Sequence, residues 1–249
     1  RHFPDGERYI RILMDVDGLD VVVVQNTFPD KKIVELLLIL QAVKEAGAKT
    51  VTCVIPYMGY SRQERIFQAG EARSAKAIAG VIGSMCDRIF TINVHTPAVL
   101  DFFGCEAQDI NGFREVVRYL KGFKPDMVVA PDEGSKDRCT LAANMLKVPV
   151  HVMKKVRIDG RTVETTSGPV EVKGCTAVIL DDIISTGGTI ATAANILRNG
   201  GTDRILAACT HGLFIEDAAN RLRVCDDIMS SDTLEGVYTR FSVAPAIAD

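Results

Sequence analysis

A chain of 249 residues with 47% apolar residues is long enough for one large or two medium domains with well-buried cores, which excludes a disordered or fibrous polypeptide. The formal net charge of −3 argues against nucleic acid or an anionic membrane as the main partner, so an anionic ligand has to meet local cations rather than a global field. Seven cysteines (Cys53, Cys86, Cys105, Cys139, Cys175, Cys209, Cys225) are dispersed without a CxxC pair and read as buried thiols of a reducing, cytoplasmic compartment. No apolar run approaches the roughly 20 residues of a membrane span.

The start, RHFPDGERYIRI, is not a signal peptide. It lacks an initiator Met, opens inside what looks like a motif, and is read as the edge of a fragment. Its acidic turn precedes an alternating run (Tyr9 and Arg11 against Ile10 and Ile12), the pattern of a hairpin arm projecting outward. Short β-branched runs then alternate with helical patterns: VVVVQN from Val21, TVTCVIP from Thr50, RIFTINVH from Arg88, MVVAPD from Met127, AVILDD from Ala177 and RILAACTH from Arg204. Apolar strands separated by helices predict a parallel sheet covered on both faces. Each run ends in polar residues (Gln25-Asn26, Tyr57, His95, Asp132, Asp181-Asp182, His211), at the edge where open α/β sheets bind ligands. Ahead of the fifth run, KKVRIDGRTVETTSGPVEV carries a turn signal at Asp159-Gly160 and reads as a β-ribbon. Lys155 and Arg157, two positions apart, would project from it to one side.

The halves resemble each other. The stretch from Gly18 to Tyr57 can be laid on that from Gly174 to His211, matching Gly47 to Gly201 with intervals of 29 and 27 residues. CDRIFTI at Cys86 then matches CDDIMSS at Cys225, but the first half holds 15 extra residues around YSRQERIFQAGEARS. Two similar α/β units are implied.

The stretch AVILDDIISTGGTI carries the sharpest chemistry. A strand feeding Gly187-Gly188 and then a helix lets backbone N–H groups approach an anion with no Cβ in the way, at the positive end of the helix dipole. Ser185, Thr186 and Thr189 add hydroxyl donors, and no Gly-Lys-Ser/Thr follows, so this is not a Walker loop. The adjacent Asp181 and Asp182 cannot hold phosphate; they suit sugar hydroxyls or a hydrated magnesium. Two acids followed by a phosphate loop describe a ribose 5-phosphate site.

This segment resembles the phosphoribosyl-binding loop of type I phosphoribosyltransferases, and the rest of the chain is similar to the ribose-phosphate pyrophosphokinase family. FPDGE at Phe3, PYMGYSRQER at Pro56, NVH at Asn93, PDEG at Pro131, KKVR at Lys154 and DDIISTGGT at Asp181 occur in family order. The resemblance implies an α/β fold of two similar phosphoribosyltransferase-type domains, each a mainly parallel sheet flanked by helices and related by internal duplication. The first would span 1–109, with 236–249 returning to it, and the second 110–235. It implies pyrophosphoryl transfer from MgATP to the 1-hydroxyl of ribose 5-phosphate, with Mg2+ as cofactor. Phe3, Asp5, Glu7, Arg62, Gln63 and His95 would serve ATP, and His95 and Asp132 the metal. Lys155 and Arg157 would act on the transferring group, while Asp181, Asp182, Ser185, Thr186, Gly187, Gly188 and Thr189 would hold ribose 5-phosphate. A homo-oligomer built from dimers is implied, with Phe3 to Glu7 reaching into a neighbour's ATP site. The chain departs from the usual pattern with Ser185 in place of Asp and Ser135 in place of Gly, and its short connections resemble archaeal members.

Two other readings remain on the sequence. A phosphoribosyltransferase needs one such unit plus a base-binding hood, whereas two units are present here. A non-catalytic regulatory homologue would be expected to lose catalytic cations or to carry an insertion beside them.

Overall fold

The computed structural model describes residues 3–157, 163–166 and 171–248. The chain divides into two compact units, 1–111 and 112–249. The first is built on β1 (Asp20–Val24), α1 (Lys31–Glu45), β2 (Thr50–Ile55), α2 (Ser74–Gly83), β3 (Arg88–Ile92) and β4 (Glu106–Ile110). Its four strands lie in the order β1-β2-β3-β4 and pair in parallel. Leu36, Leu40 and Val43 of α1 and Ala75, Ala79 and Ile82 of α2 share one core with Val51, Cys53, Ile55 and Ile89. Each fully buried Leu or Ile contributes about 1.5–3 kcal/mol, so this packing holds the unit's sheet edge in place. On the other face of β1, Val22 and Val24 are exposed.

The second unit contains α3 (Phe113–Leu120), β5 (Met127–Ala130), α4 (Lys136–Leu146), β6 (Val150–Val152), β7 (Lys154–Arg157), β8 (Val163–Thr166), β9 (Thr176–Ile184), α5 (Gly188–Asn199), β10 (Arg204–Gly212), α6 (Ala218–Arg221), β11 (Asp227–Ser231), β12 (Thr239–Phe241) and α7 (Ala244–Ala248). Its six-stranded sheet has the order β12-β11-β10-β9-β5-β6, parallel throughout. Helix α5 covers one face through Ile190, Ala193, Ala194 and Leu197. Helices α3 and α4 cover the other through Phe113, Val116, Cys139 and Ala142. Strands β7 and β8 form the expected antiparallel ribbon, with Lys155 opposite Thr165 and Arg157 opposite Val163. The Asp159-Gly160 turn lies outside the described residues.

The repeat read from the sequence is visible in the strand order: β9-β10-β11-β12 runs as β1-β2-β3-β4 does. It extends to single hydrogen bonds. Gly18 N–H donates to Gly47 O at 2.8 Å, and Gly174 N–H to Gly201 O at 2.9 Å. Asp87 accepts the Val51 N–H, and Asp226 the Ile205 N–H, each at 2.7 Å. All four glycines have positive φ, which a Cβ would disfavour.

One expectation needs correction. Residues 236–249 do not return to the first unit as far as 248. Strand β12 extends the second sheet, Phe241 lies against Tyr119 with rings 5.4 Å apart, and the Val243 N–H donates to Asp232. After FPDGE, the described residues before β1 carry an isolated bridge at Arg8, whose guanidinium pairs with Glu35 on α1 at 3.2 Å.

Five cysteines are buried, while Cys105 and Cys175 are half-buried. Burial pushes the Cys86 and Cys225 thiols up to about 12, and those of Cys53, Cys139 and Cys209 also rise. Among the described residues no helix is long and apolar enough to cross a membrane.

Candidate functional site

The phosphate loop forms where β9 meets α5. Gly187 takes φ +75° and caps the helix without a side-chain hydrogen bond. The Ala191 N–H donates to Gly187 O at 2.8 Å, so the N–H groups of Gly188, Thr189 and Ile190 precede the helical ladder and are available to an anion. The two glycines differ in role. A Cβ on Gly187 would meet Leu222 at 3.0 Å, whereas one on Gly188 would meet only Thr186 Oγ1, at 3.9 Å. Gly187 therefore shapes the turn, and Gly188 keeps its approach open.

The paired acids are not at the mouth of the strand, since β9 continues through Ile184. Strand alternation separates them: Asp181 falls in the row of Ala177 and Ile179 under α5, and Asp182 in the row of Val178 and Leu180. Asp182 is 2% exposed and bound to Arg138 of α4 at 2.9 Å, which commits it to the fold and leaves Asp181 as the half-buried member of the pair. Burial, then the negative charge of Asp182, push the Asp181 carboxyl well above the usual carboxylate range; the Asp182 N–H, bound to Asp181 Oδ1 at 2.9 Å, opposes this. A half-buried carboxyl can both donate to and accept from hydroxyl groups.

Asp132, at the end of β5, caps the following turn. Its Oδ1 accepts the Ser135 N–H at 3.2 Å, and the buried Ser135 hydroxyl donates to Asp132 O at 2.9 Å. Ser135 thus fixes the orientation of this carboxylate. In the first unit, Asp109 of β4 accepts the Thr91 hydroxyl at 2.6 Å and the Val94 N–H at 2.9 Å. Those two bonds anchor the loop that carries His95 beyond β3. Among the described residues no cluster of three or more His, Cys, Asp or Glu is arranged to hold a metal.

Of the remaining expected residues, Phe3, Asp5 and Glu7 form an exposed turn closed by Phe3 N–H to Glu7 O (2.8 Å) and Glu7 N–H to Asp5 Oδ1 (3.0 Å). Phe3 packs edge-on against Tyr9. Arg62 is exposed in the loop after β2, whereas Gln63 accepts the Ser74 hydroxyl at 3.0 Å and so also steadies the start of α2. Lys155 and Arg157 lie on β7. Sequence reading missed Arg138, Asp109 and Arg221; Arg221 donates to Thr186 O at 3.0 Å.

A family model described as the N-terminal domain of ribose phosphate pyrophosphokinase matches residues 1–85, and one described as a phosphoribosyl transferase domain matches residues 108–242. The ribose-phosphate pyrophosphokinase of Methanothermobacter thermautotrophicus is 39% identical over 100% of this chain and 89% of its own. The chain belongs to the ribose-phosphate pyrophosphokinase family. The family's protein from Methanopyrus kandleri is 36% identical over 99% of this chain and 87% of its own. The crystal structure of phosphoribosylpyrophosphate synthetase from Mycobacterium smegmatis aligns with a TM-score of 0.85 at 29% identity, covering 100% of this chain and 86% of that one. The two-domain α/β reading is the fold of this family.

Proposed function

We propose that the chain transfers the pyrophosphoryl group of MgATP to the 1-hydroxyl of ribose 5-phosphate, giving 5-phosphoribosyl 1-diphosphate and AMP. The observation that carries this is the open glycine turn at α5, preceded on β9 by the half-buried Asp181, in a chain whose relatives of that name align along nearly its whole length. The 1-hydroxyl oxygen bonds to the β-phosphorus, the bond from that phosphorus to the α–β bridging oxygen breaks, and AMP leaves with the bridging oxygen; the hydroxyl proton is lost as the new bond forms. Little covalent work falls to the protein, so catalysis is positioning plus charge stabilisation.

In this reading the N–H groups of Gly188, Thr189 and Ile190, with the hydroxyls of Ser185, Thr186 and Thr189, hold the 5-phosphate, and Asp181 takes the sugar hydroxyls. Phe3, Asp5, Glu7, Arg62 and Gln63 serve the nucleotide. Lys155 and Arg157 stabilise charge on the transferring group. The donors fit Mg2+ carried in by the triphosphate, because that ion keeps water and substrate oxygens and needs only one or two protein ligands. The resemblance to the family assigns this role to His95 of the first unit and, in the second, to Asp132, whose carboxylate is oriented by Ser135. Bound there, Mg2+ would neutralise phosphate charge. The active form is a homo-oligomer built from dimers with shared ATP sites. Co-refolding a Phe3/Asp5/Glu7 triple-Ala variant with Lys155→Ala would then restore up to about a quarter of wild-type activity, if chains pair at random and sites act independently.

The test is to incubate the protein with MgATP and ribose 5-phosphate. AMP and the diphosphate product should form in equal amounts, and Lys155→Ala should lower kcat by about 10²–10³ with ATP binding retained. Formation of ADP, or no nucleotide product, would overturn the assignment.

A further inference from the structure

Three successive carbonyls of the phosphate loop are held from outside by one segment. Ile184 O accepts the N–H groups of Leu213 (3.0 Å) and Phe214 (3.2 Å), and Ser185 O accepts that of Ile215 (3.2 Å). Thr186 O accepts Arg221 Nη1 at 3.0 Å. The next residue, Leu222, closes over the face of Gly187 where a Cβ would lie. In an extended strand successive carbonyls alternate in direction, so three turned toward one segment mean a curved backbone. In such a curve the N–H groups converge on the inner side, as in an anion nest.

The first two of these locks are backbone bonds that many side chains would allow; the third depends on Arg221. A trans peptide sets its C=O and N–H in opposite directions. Holding Thr186 O against the guanidinium therefore turns the Gly187 N–H away from α6, toward the side where α5 begins. This peptide needs a lock because glycine tolerates either sign of φ, so nothing in Gly187 itself prevents the reverse orientation. Reversed, the peptide would present a carbonyl oxygen where a phosphate oxygen has to sit. Arg221 also brings a positive charge within one peptide of the loop, and its ion pair with Glu216 is long, at 3.8 Å. The planar fork matters: Nη1 meets the carbonyl while Nη2 faces Glu216.

We infer that Arg221 is a positioning residue for ribose 5-phosphate, fixing the Thr186–Gly187 peptide in the orientation that binds the phosphate. This rests on the sugar-phosphate reading of the α5 loop. It also gives the segment THGLFIEDAANRL, which ends β10 and leads into α6, a function as the outer wall of the cradle.

Calorimetric titrations of the whole 249-residue chain with ribose 5-phosphate and, separately, with ATP would test it on Arg221→Met and Arg221→Lys. The Met variant keeps the apolar stem and loses the donor. It should bind ribose 5-phosphate about 10- to 100-fold more weakly, the range for loss of a charge-assisted hydrogen bond. Its ATP affinity and melting temperature should be close to wild type. The Lys variant keeps a charge without the fork and should bind ribose 5-phosphate nearly as weakly as the Met variant. Unchanged sugar-phosphate binding in Arg221→Met would overturn the inference. So would equal weakening toward both substrates with a lowered melting temperature, which would make Arg221 a general structural residue. Full recovery in Arg221→Lys would overturn the carbonyl lock in favour of simple charge. Wild-type protein that binds no ribose 5-phosphate would refute the underlying reading of the loop instead.

Discussion

The two units share a strand order and even individual turn hydrogen bonds, yet treat the turn after the equivalent strands β1 and β9 in opposite ways. In the second unit, β9 runs into Ser185-Thr186-Gly187-Gly188, and α5 starts with uncapped N–H groups and no acid in its first turn. In the first unit, β1 runs into Asn26-Thr27-Phe28-Pro29, and this turn is occupied by the protein's own atoms. Thr27 Oγ1 accepts the Gly59 N–H at 2.6 Å, Asn26 accepts the Tyr57 N–H at 2.9 Å, and a Cβ on Gly59 would lie 2.9 Å from Thr27 O. Glu35 of α1 meanwhile gathers Lys32, Arg8 and Gln25, and the Lys32 hydrogen bond leads the effects that hold its carboxyl below the usual carboxylate range. One α/β frame thus supports an anion cradle in one copy and a self-satisfied turn in the other. Whether the turn is left open is decided by a few turn residues, not by the fold.

The sharpest way to break this contrast is to fill the open turn. Gly188→Asp should leave the fold intact, because its Cβ enters open space, but should weaken ribose 5-phosphate binding by about 10²–10³. That is the scale of two like charges about 4 Å apart at a protein surface. ATP binding should persist, and calorimetry with each ligand checks both. The complementary change in the first unit is Arg62→Ala, expected to raise the KM for ATP about 10- to 100-fold through loss of a charge-assisted contact. The KM for ribose 5-phosphate should barely move; equal effects on both would erase the division of labour between the units.

Asp181→Asn sharpens the comparison through stability. A carboxyl with a raised pKa in the folded state favours folding while protonated, and that benefit is lost as pH rises through the folded value. The Asn variant should therefore melt higher than wild type at neutral pH, and the gap should close as pH falls below the ordinary carboxylate range. Its ribose 5-phosphate affinity should drop. Thermal melts across pH, paired with titrations, would show both trends or sink the assignment. The smallest effect concerns the shared glycine turn. Gly47→Ala and Gly201→Ala should each cost about 1–2 kcal/mol for a left-handed alanine. Gly47→Ala should cost about 1 kcal/mol more through overpacking against Asp17, since a Cβ at Gly201 meets nothing closer than Lys173 at 3.4 Å. Denaturant titration of the two variants measures the difference.

Period and composition made much of this legible. All six apolar runs became strands, and the Gly-to-Gly intervals located the repeat before any coordinates did. Strands β4 and β12 carried weak signals, since EAQDI is a largely polar edge and TRF is three residues long. The STGGT turn was readable because its glycines and hydroxyls are contiguous. The residues that organise it were not: Arg138 meets Asp182 across 44 positions, and Arg221 meets Thr186 across 35. No local pattern encodes such pairings; they exist only once α4 and α6 have docked on the sheet. The same holds for the division between Asp181 and Asp182, which look equivalent in sequence and are separated by which helix lies over each row of the strand.

The thiols offer a practical consequence. Five of the seven are sealed in the cores with their thiolates disfavoured, so a mild alkylating dye should find Cys105 beside β4 and Cys175 ahead of β9 first. One of these lies in each unit. The native chain therefore carries its own pair of fluorescence attachment points, one per half, through which the response of each half to substrate could be followed without adding a residue.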